Sequence, residues 1–310
     1  MIKWDQQIGP SLGTRVRFDA LRYGIELEFE RMLEEYPDLD FWHLERDASL
    51  RNNGVEFISV PLLPDDLGEA LDEAQERIER YELDASWRCG LHTHINVAYW
   101  TWKQLLTHAV LYTLVEPYLF AEWAPGRETS HFCVPMGANT RLIDGIAQDA
   151  IALRAGRGVR QTLNMLSCSK YSAVNYKPIL EHGTIEFRHM PSTLDMGRVM
   201  HWCDMLGQMV DAAFEYGSPE QVITEYEDLG IEPLLNRIGL HTCDIVPEDE
   251  EDGYIAACMM VGHDPQRWQD LQWEPPGEIE VQVWDEFVVQ QENMARDDME
   301  RLMEILEGDE

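Results

Sequence analysis

Apolar and acidic residues alternate along Tyr23-Gly24-Ile25-Glu26-Leu27-Glu28-Phe29-Glu30. In a strand, this period of two puts Ile25, Leu27 and Phe29 on one side and Glu26, Glu28 and Glu30 on the other. A second run, Val55-Glu56-Phe57-Ile58-Ser59-Val60, follows Asn52-Asn53-Gly54. Asn-Gly before a β-branched, aromatic stretch predicts a hairpin, with Asp47-Ala48-Ser49-Leu50 on its near side. Residues 88–99 return to strand and carry Leu91-His92-Thr93-His94-Ile95-Asn96-Val97. A further strand pair is expected at 171–177 and 183–190, joined at His182-Gly183. Residues 31–46 are mixed and show no clear period, and 1–19 read as an irregular lead-in broken by Gly9-Pro10 and Gly13.

Between these runs the period lengthens to that of helices. Leu67, Ala70, Leu71, Ala74, Ile78 and Tyr81 make one stripe over 65–81, with Asp66 and Glu69 spaced as a capping box. Thr101 with Gln104 marks the cap of a helix running to about Glu122, with a possible kink at Pro117. Helices are also expected over 139–165 and 197–215, the latter with Val199, Trp202, Cys203, Leu206, Met209 and Val210 as its apolar face. A shorter one starts at Ser218-Pro219. Residues 244–280 are acidic, include Pro275-Pro276-Gly277, and read as loop-rich. A final helix carries Met299, Leu302, Met303 and Leu306.

Composition restricts the function classes. Across 310 residues, 58 acidic and 24 basic residues give a formal net charge of −34. Such a surface repels nucleic acid and anionic membranes, so neither is expected as a partner. It equally repels an anionic nucleotide, so an ATP site would need local metal ions and arginines. Cys89, Cys133, Cys168, Cys203, Cys243 and Cys258 form no Cys-x-x-Cys pair, which fits reduced thiols rather than a zinc module or disulfide scaffold. No secretory signal and no apolar run long enough to span a bilayer is present, so a cytoplasmic protein is expected. No feature fixes an oligomeric state.

Four strand-like runs carry polar groups at i, i+2 spacing, which aims both side chains off the same face of a sheet. These are Glu26 and Glu28; Glu56 after the turn; His92 and His94; and Glu186 with Arg188 in Gly183-Thr184-Ile185-Glu186-Phe187-Arg188. Each alone also describes ordinary solvated surface: an acidic strand face, a lone carboxylate, a His-x-His pair, an exposed ion pair of little energy. Together they describe a polar basin, provided the strands pair in one antiparallel sheet with the other face as core. Glutamates and histidines in one basin suit Mg²⁺, with tolerance of Mn²⁺. No Gly-x-x-x-x-Gly-Lys-Ser/Thr loop and no Gly-x-Ser-x-Gly elbow occurs, which excludes P-loop chemistry and gives no support to covalent catalysis by serine.

Taken in order, Gly24-Ile25-Glu26-Leu27-Glu28, Asp47-x-Ser49 with Gly54-x-Glu56, Cys89-Gly90-Leu91-His92-x-His94, and Gly183-Thr184-Ile185-Glu186-Phe187-Arg188 with Ser192-Thr193-Leu194-Asp195 resemble the amidoligases. These are members of the carboxylate–amine ligase superfamily, with glutamine synthetase and glutamate–cysteine ligase. The resemblance covers about residues 22–216. It implies an α+β fold, with a curved antiparallel sheet like the glutamine synthetase catalytic domain and helices on its convex face. It also implies ATP and two or three divalent ions, Mg²⁺ or Mn²⁺, on the concave face. By the same resemblance, Glu28 and Glu56 correspond to ligands of one metal, and Glu26, His92 and Glu186 to ligands of a second. His94 and Arg188 correspond to groups on the nucleotide phosphates, and Arg127, Lys170 and Asn175 to nucleotide- or acceptor-site residues. The organisation expected is a lead-in over 1–20, a catalytic core over 21–216, and an acidic, helical and loop-rich region over 217–310 packed on it.

The activity so implied joins a carboxylate to an amine. Phosphoryl transfer from ATP turns the carboxylate into an acyl phosphate, which the amine attacks. Metals, Arg188, His94 and Glu186 supply the positioning and charge neutralisation that phosphoryl transfer needs. The amine or carboxylate would come from an amino acid, a peptide or a protein terminus. Two alternatives are a phosphotransferase acting on a guanidino-type acceptor and an inactive protein that keeps the fold for binding or assembly.

Overall fold

A computed structural model describes residues 3–13, 18–30, 37–47, 50, 54–86, 88–130, 133–155, 164–167, 171–241, 247 and 250–263. All lie in a unit that spans Met1–Pro265. The alternating runs become strands β1 (Tyr23–Phe29), β2 (Trp42–Asp47), β3 (Gly54–Ser59), β4 (Leu91–Asn96), β5 (Val174–Asn175) and β6 (Thr184–Phe187). Helices are α1 (Ile8–Ser11), α2 (Leu67–Tyr81), α3 (Trp102–Trp123), α4 (Thr140–Arg154), α5 (Met196–Glu215), α6 (Pro219–Leu229), α7 (Glu232–Arg237) and α8 (Glu250–Val261). The fold is therefore α+β.

The six strands form one sheet in the order β2-β3-β1-β4-β6-β5. Every pairing is antiparallel, with Glu28 opposite Glu56, Glu26 opposite His92, and His94 opposite Glu186. The alternation then sorts the faces. Ile25, Leu27, Phe29, Leu44, Val55, Phe57, Leu91, Ile95, Ile185 and Phe187 are buried on one side. There Phe29 and Phe57 meet edge to face at 5.5 Å between ring centroids, and Trp42 caps Phe57 at 6.2 Å.

Helices cover this apolar face. Trp42 donates its indole N–H to the Ala70 carbonyl of α2 at 2.7 Å. Trp202 of α5 donates to Thr93 Oγ1 at 3.2 Å. His108 and Tyr112 of α3 pack on Phe187, with centroids 5.8 and 6.0 Å away. Helix α3 is buried on nearly every side, as expected of a helix apolar all round. Its start is the reciprocal Thr101–Gln104 cap that the spacing predicts. No helix among the described residues is long and apolar enough to cross a membrane.

Some elements depart from the sequence reading. Residues 42–46, unplaced by periodicity, form with Asp47 the edge strand β2 against β3. Their register is Glu45 opposite Glu56 and Asp47 opposite Gly54, and the turn at residues 52–53 lies outside the described residues. Asp66 does not cap α2; its carboxylate accepts from the Leu63 N–H at 3.0 Å, closing the 3-10 turn Pro64–Asp66 in front of the helix. The helix expected over 139–165 ends at Arg154 and is followed by a 3-10 turn at Asn164–Ser167. Part of the stretch read as loop, residues 250–261, is α8, because Tyr254, Ala257, Cys258 and Met260 are buried against α3 and α4. The C-terminal helix expected around residues 299–306 lies outside the described residues.

The contact of α8 with α3 depends on two residues. Pro117 has no N–H to give the Thr113 carbonyl one turn back. Gly253 brings the α8 backbone against that carbonyl; a Cβ there would sit 2.7 Å from the Thr113 oxygen. Gly253→Ala is expected to destabilise the protein by about 1–3 kcal/mol through overpacking, measurable as a lower urea midpoint at unchanged m. His108 and His189 are fully buried in the same layer. Burial pushes the His108 imidazole down to about 3, and burial followed by the Arg127 charge does the same for His189. The unfolded chain therefore takes up protons first, near the ordinary value of 6.5. This contribution to stability is full above about pH 6.5 and is lost as pH falls toward 3, by at most about 1.4 kcal/mol per unit for each group. Urea midpoints of the parent between pH 7 and 4 are expected to fall, and to fall less steeply in His108→Leu.

Candidate functional site

The polar face of the sheet gathers its side chains in rows set by register. Glu45, Glu56 and Glu28 face one another across β2, β3 and β1, and Glu28 continues to Gly90, whose N–H donates to Glu28 Oε2 at 2.6 Å. In the next row Glu26 lies opposite His92, with Nδ1 of His92 3.1 Å from Glu26 Oε2. In the third, His94 lies opposite Glu186 and Glu186 opposite Asn175, which donates from Nδ2 to Glu186 Oε2 at 2.7 Å. The rows are also bonded to one another. His94 Nε2 is 3.3 Å from Glu26 Oε1, His92 Nδ1 is 3.7 Å from Glu186 Oε1, and His92 Nε2 is 3.9 Å from Glu28 Oε1. Arg188 pairs with Glu186.

Two donor sets result. Glu26, His94 and Glu186 each offer a ligand atom within 4.8 Å of the other two, and so do Glu26, Glu56 and His92. Glu26 belongs to both. This grouping differs from the one implied by the resemblance: His94 stands with Glu26 and Glu186, while Glu28 is held by the Gly90 N–H. Two glycines make the room. A Cβ on Gly90 would lie 2.7 Å from His92 Nε2, and one on Gly24 would lie 3.3 Å from His94 Cβ.

The charges are unevenly compensated. Burial pushes Glu56 up, and the carboxylates of Glu26, Glu28, Asp47 and Glu45 add to the effect, bringing it to about 8. Burial raises Glu28 as well. Burial would raise Glu26 too, but the hydrogen bonds with His92 and His94 outweigh it and hold this carboxyl well below the usual range. Burial disfavours a charged His94, yet the Glu26 hydrogen bond and charge win, so its imidazole is raised. Burial and like charge thus hold Glu56 and Glu28 toward their neutral forms, which a bound cation would reverse. The oxygen and imidazole donors fit Mg²⁺ or Mn²⁺.

Two arginines border these carboxylates. Arg127, in the 3-10 turn Arg127–Thr129 after α3, reaches the Cys89 carbonyl at 3.4 Å. Among the described residues no carboxylate lies within ion-pair distance of it, and the buried Nε atoms of Arg127 and Arg188 have no hydrogen-bond partner. Burial lowers the Arg127 pKa, and Glu28 and Arg188 are both close enough to act on it. In a chain of net charge −34, a half-buried guanidinium with no carboxylate in ion-pair distance among the described residues suits an anionic ligand group.

The structure thus gathers Glu26, Glu28, Glu56, His92, His94, Glu186, Arg188 and Asn175 on one face, with Arg127 beside it. Lys170 lies outside the described residues. Glu30 falls beyond β1, its N–H bonded to the Asp84 carbonyl at 3.0 Å, and joins neither donor set. Sequence reasoning missed Glu45, in the unplaced stretch, and Thr184, whose hydroxyl is 3.0 Å from His94 Nδ1. The signal for Thr184 was its i, i+2 spacing from Glu186.

Comparison with known proteins agrees with the motif set. The family model described as "Putative amidoligase enzyme" matches residues 30–210. No curated protein matches significantly. Among solved structures, a bifunctional glutathione synthetase from Pasteurella multocida matches with a TM-score of 0.34 and 11% identity, over 83% of this chain and 49% of that one. The chain thus spans about half the length of that protein. With its family model matched over more than half its length, the chain belongs to the amidoligase family.

Proposed function

We propose that the protein is an ATP- and divalent-metal-dependent ligase that joins a carboxylate to an amine through an acyl phosphate. Family membership supports a ligase-type function. The observation that carries the finer reading is the charge pattern of one sheet face: two sets of carboxylate and imidazole donors sharing Glu26, beside half-buried Arg127 and Arg188, whose Nε atoms have no partner among the described residues. The first suits cations and the second anions, which is what a metal–nucleotide complex presents. We place this face on the concave side of a curved, glutamine synthetase-like sheet, a reading supported by the helices that cover the apolar face.

In this reading Glu26, Glu28, Glu56, His92 and Glu186, with His94 beside Glu26 and Glu186, hold the divalent ions. When bound, the ions neutralise phosphate charge and polarise the transferring group. Arg188 and Arg127 take anionic oxygens of the nucleotide or of the substrate carboxylate, with Asn175 fixing the Glu186 carboxylate from behind. The substrate carboxylate attacks the γ-phosphorus, ADP leaves, and the amine then displaces phosphate from the acyl carbon. An amino acid, peptide or protein terminus supplies the amine. Buried thiols at Cys89, Cys133 and Cys203 fit a cytoplasmic setting for such an enzyme.

An ADP-release screen against amino acids and peptides with Mg²⁺ or Mn²⁺ tests the reading; ADP and phosphate with an amide product are expected. A stable phosphorylated acceptor would instead indicate a phosphotransferase, and absence of both nucleotide binding and turnover would overturn the ligase. Glu26→Gln and Glu186→Gln are each expected to abolish ATP turnover with the circular dichroism spectrum unchanged; parent-like turnover in both would refute the assignment of the site. Gly90→Ala should displace the His92 ring and the Glu28 carboxylate, weakening Mn²⁺ binding by about 10–100-fold in calorimetry.

A further inference from the structure

Behind Arg188, on the apolar side of the sheet, three buried side chains form a row. Tyr112 Oη donates to Glu116 Oε1 at 2.5 Å and lies 2.6 Å from His189 Nε2. A phenol has one proton, so with that proton given to Glu116 the Tyr112 oxygen accepts, and His189 carries its hydrogen on Nε2. Glu116 also receives the N–H of Met136 at 2.8 Å and that of Gly137 at 3.0 Å. One carboxylate, 2% exposed, therefore accepts at least three hydrogen bonds inside the core.

These bonds join two stretches that border the arginines of the basin. His189 follows Arg188 directly and faces the other way. The stretch 133–137 lies beside residues 171–173: Val134 N–H donates to the Tyr171 carbonyl and Ala173 N–H to the Val134 carbonyl, both at 2.8 Å. Arg188 N–H in turn donates to the Ala173 carbonyl at 2.9 Å, two residues before Asn175. Cys133, at the head of the stretch, lies close enough to Arg127 for the two to act on each other electrostatically. The backbone that carries Arg188, the edge that leads to Asn175 and the thiol against Arg127 thus all lead back to Glu116.

We propose that Glu116, oriented by Tyr112 and His189, is a positioning residue that fixes the Arg127 and Arg188 guanidinium groups of the site. A buried carboxylate costs stability unless its donors are all present, and an apolar replacement would fill the same space. What the network adds is a fixed distance between two chain segments, which packing alone sets less sharply. The inference rests on the functional reading above only in the ligand it assigns to the two arginines.

The test uses full-length Tyr112→Phe, which removes one hydroxyl from the row, with Glu116→Gln as the second variant. Amide hydrogen exchange at Met136 and Gly137 should be slow in the parent and about tenfold or more faster in the variants. The side-chain Nε–H resonances of Arg127 and Arg188, followed by NMR, should shift in the same variants. With ATP as the probe, KM should rise about tenfold while kcat changes less than threefold. Opened amides with unmoved arginine resonances would reduce the network to a structural tie and overturn the proposal, as would rapid exchange of both amides in the parent. If the parent shows no ATP turnover, the ligase reading fails, while the exchange and resonance measurements still decide the positioning role.

Discussion

The pairing of β1 with β3 on one side and β4 on the other fixes everything else about this site. It brings Glu28 opposite Glu56 and Glu26 opposite His92, and places His94 one row further along, opposite Gly24. Strand side chains repeat every two residues, so a slip of one position would send Glu26 and Glu28 into the core and Ile25 and Leu27 to the basin. The burial of Phe29, Phe57 and Leu91 under the helices is thus the force that keeps the carboxylates together. Apolar area on one face offsets the repulsion that Glu26, Glu28, Glu45, Glu56 and Glu186 create on the other.

That repulsion has a local structure. Glu26 is satisfied by two imidazoles, while Glu56 is raised by burial and then by the carboxylates around it. The imbalance is a property of position: Glu26 occupies the central strand between both histidines, and Glu56 lies one strand nearer the edge, next to Glu45 and Asp47. The glycines belong to the same design. Gly90 and Gly24 flank His92 and His94 where a methyl group would displace the rings, which explains why two motif positions carry no side chain.

The strands and the residues of the basin were legible because period two is a strong local signal and because the polar members recur at i, i+2. Strand β2 was not, since Glu45, Arg46 and Asp47 break the alternation at an exposed edge where little burial enforces it. Helix α8 was hidden for another reason. It is apolar on several faces, being packed between α3 and α4, and the acidic residues before it disguised a buried segment as a loop. Within the site, the sequence pointed to the participants, but only the register shows that His94 stands with Glu26 and Glu186 while Glu56 stands with Glu26 and His92. Glu116 left one trace, a carboxylate in the middle of the long apolar stretch of α3.

The net charge and the two arginines belong together. A chain of −34 repels anions at a distance, and salt screens that repulsion beyond about 8–10 Å. What remains at short range is set by a few groups. Arg127 and Arg188 are half-buried, lie where the dielectric is low, and have Glu186 as their one ion-pair partner among the described residues. Their field is therefore strong locally and invisible in the overall charge. The two guanidinium groups and the imidazoles of β4 lie close to the carboxylates of β1, so charges of both signs share one face. An anion with a bound cation matches both at once, whereas either ion alone meets a repulsive neighbour. The sheet thus favours the complex over its parts, and it does so with side chains from five strands and a single turn after α3.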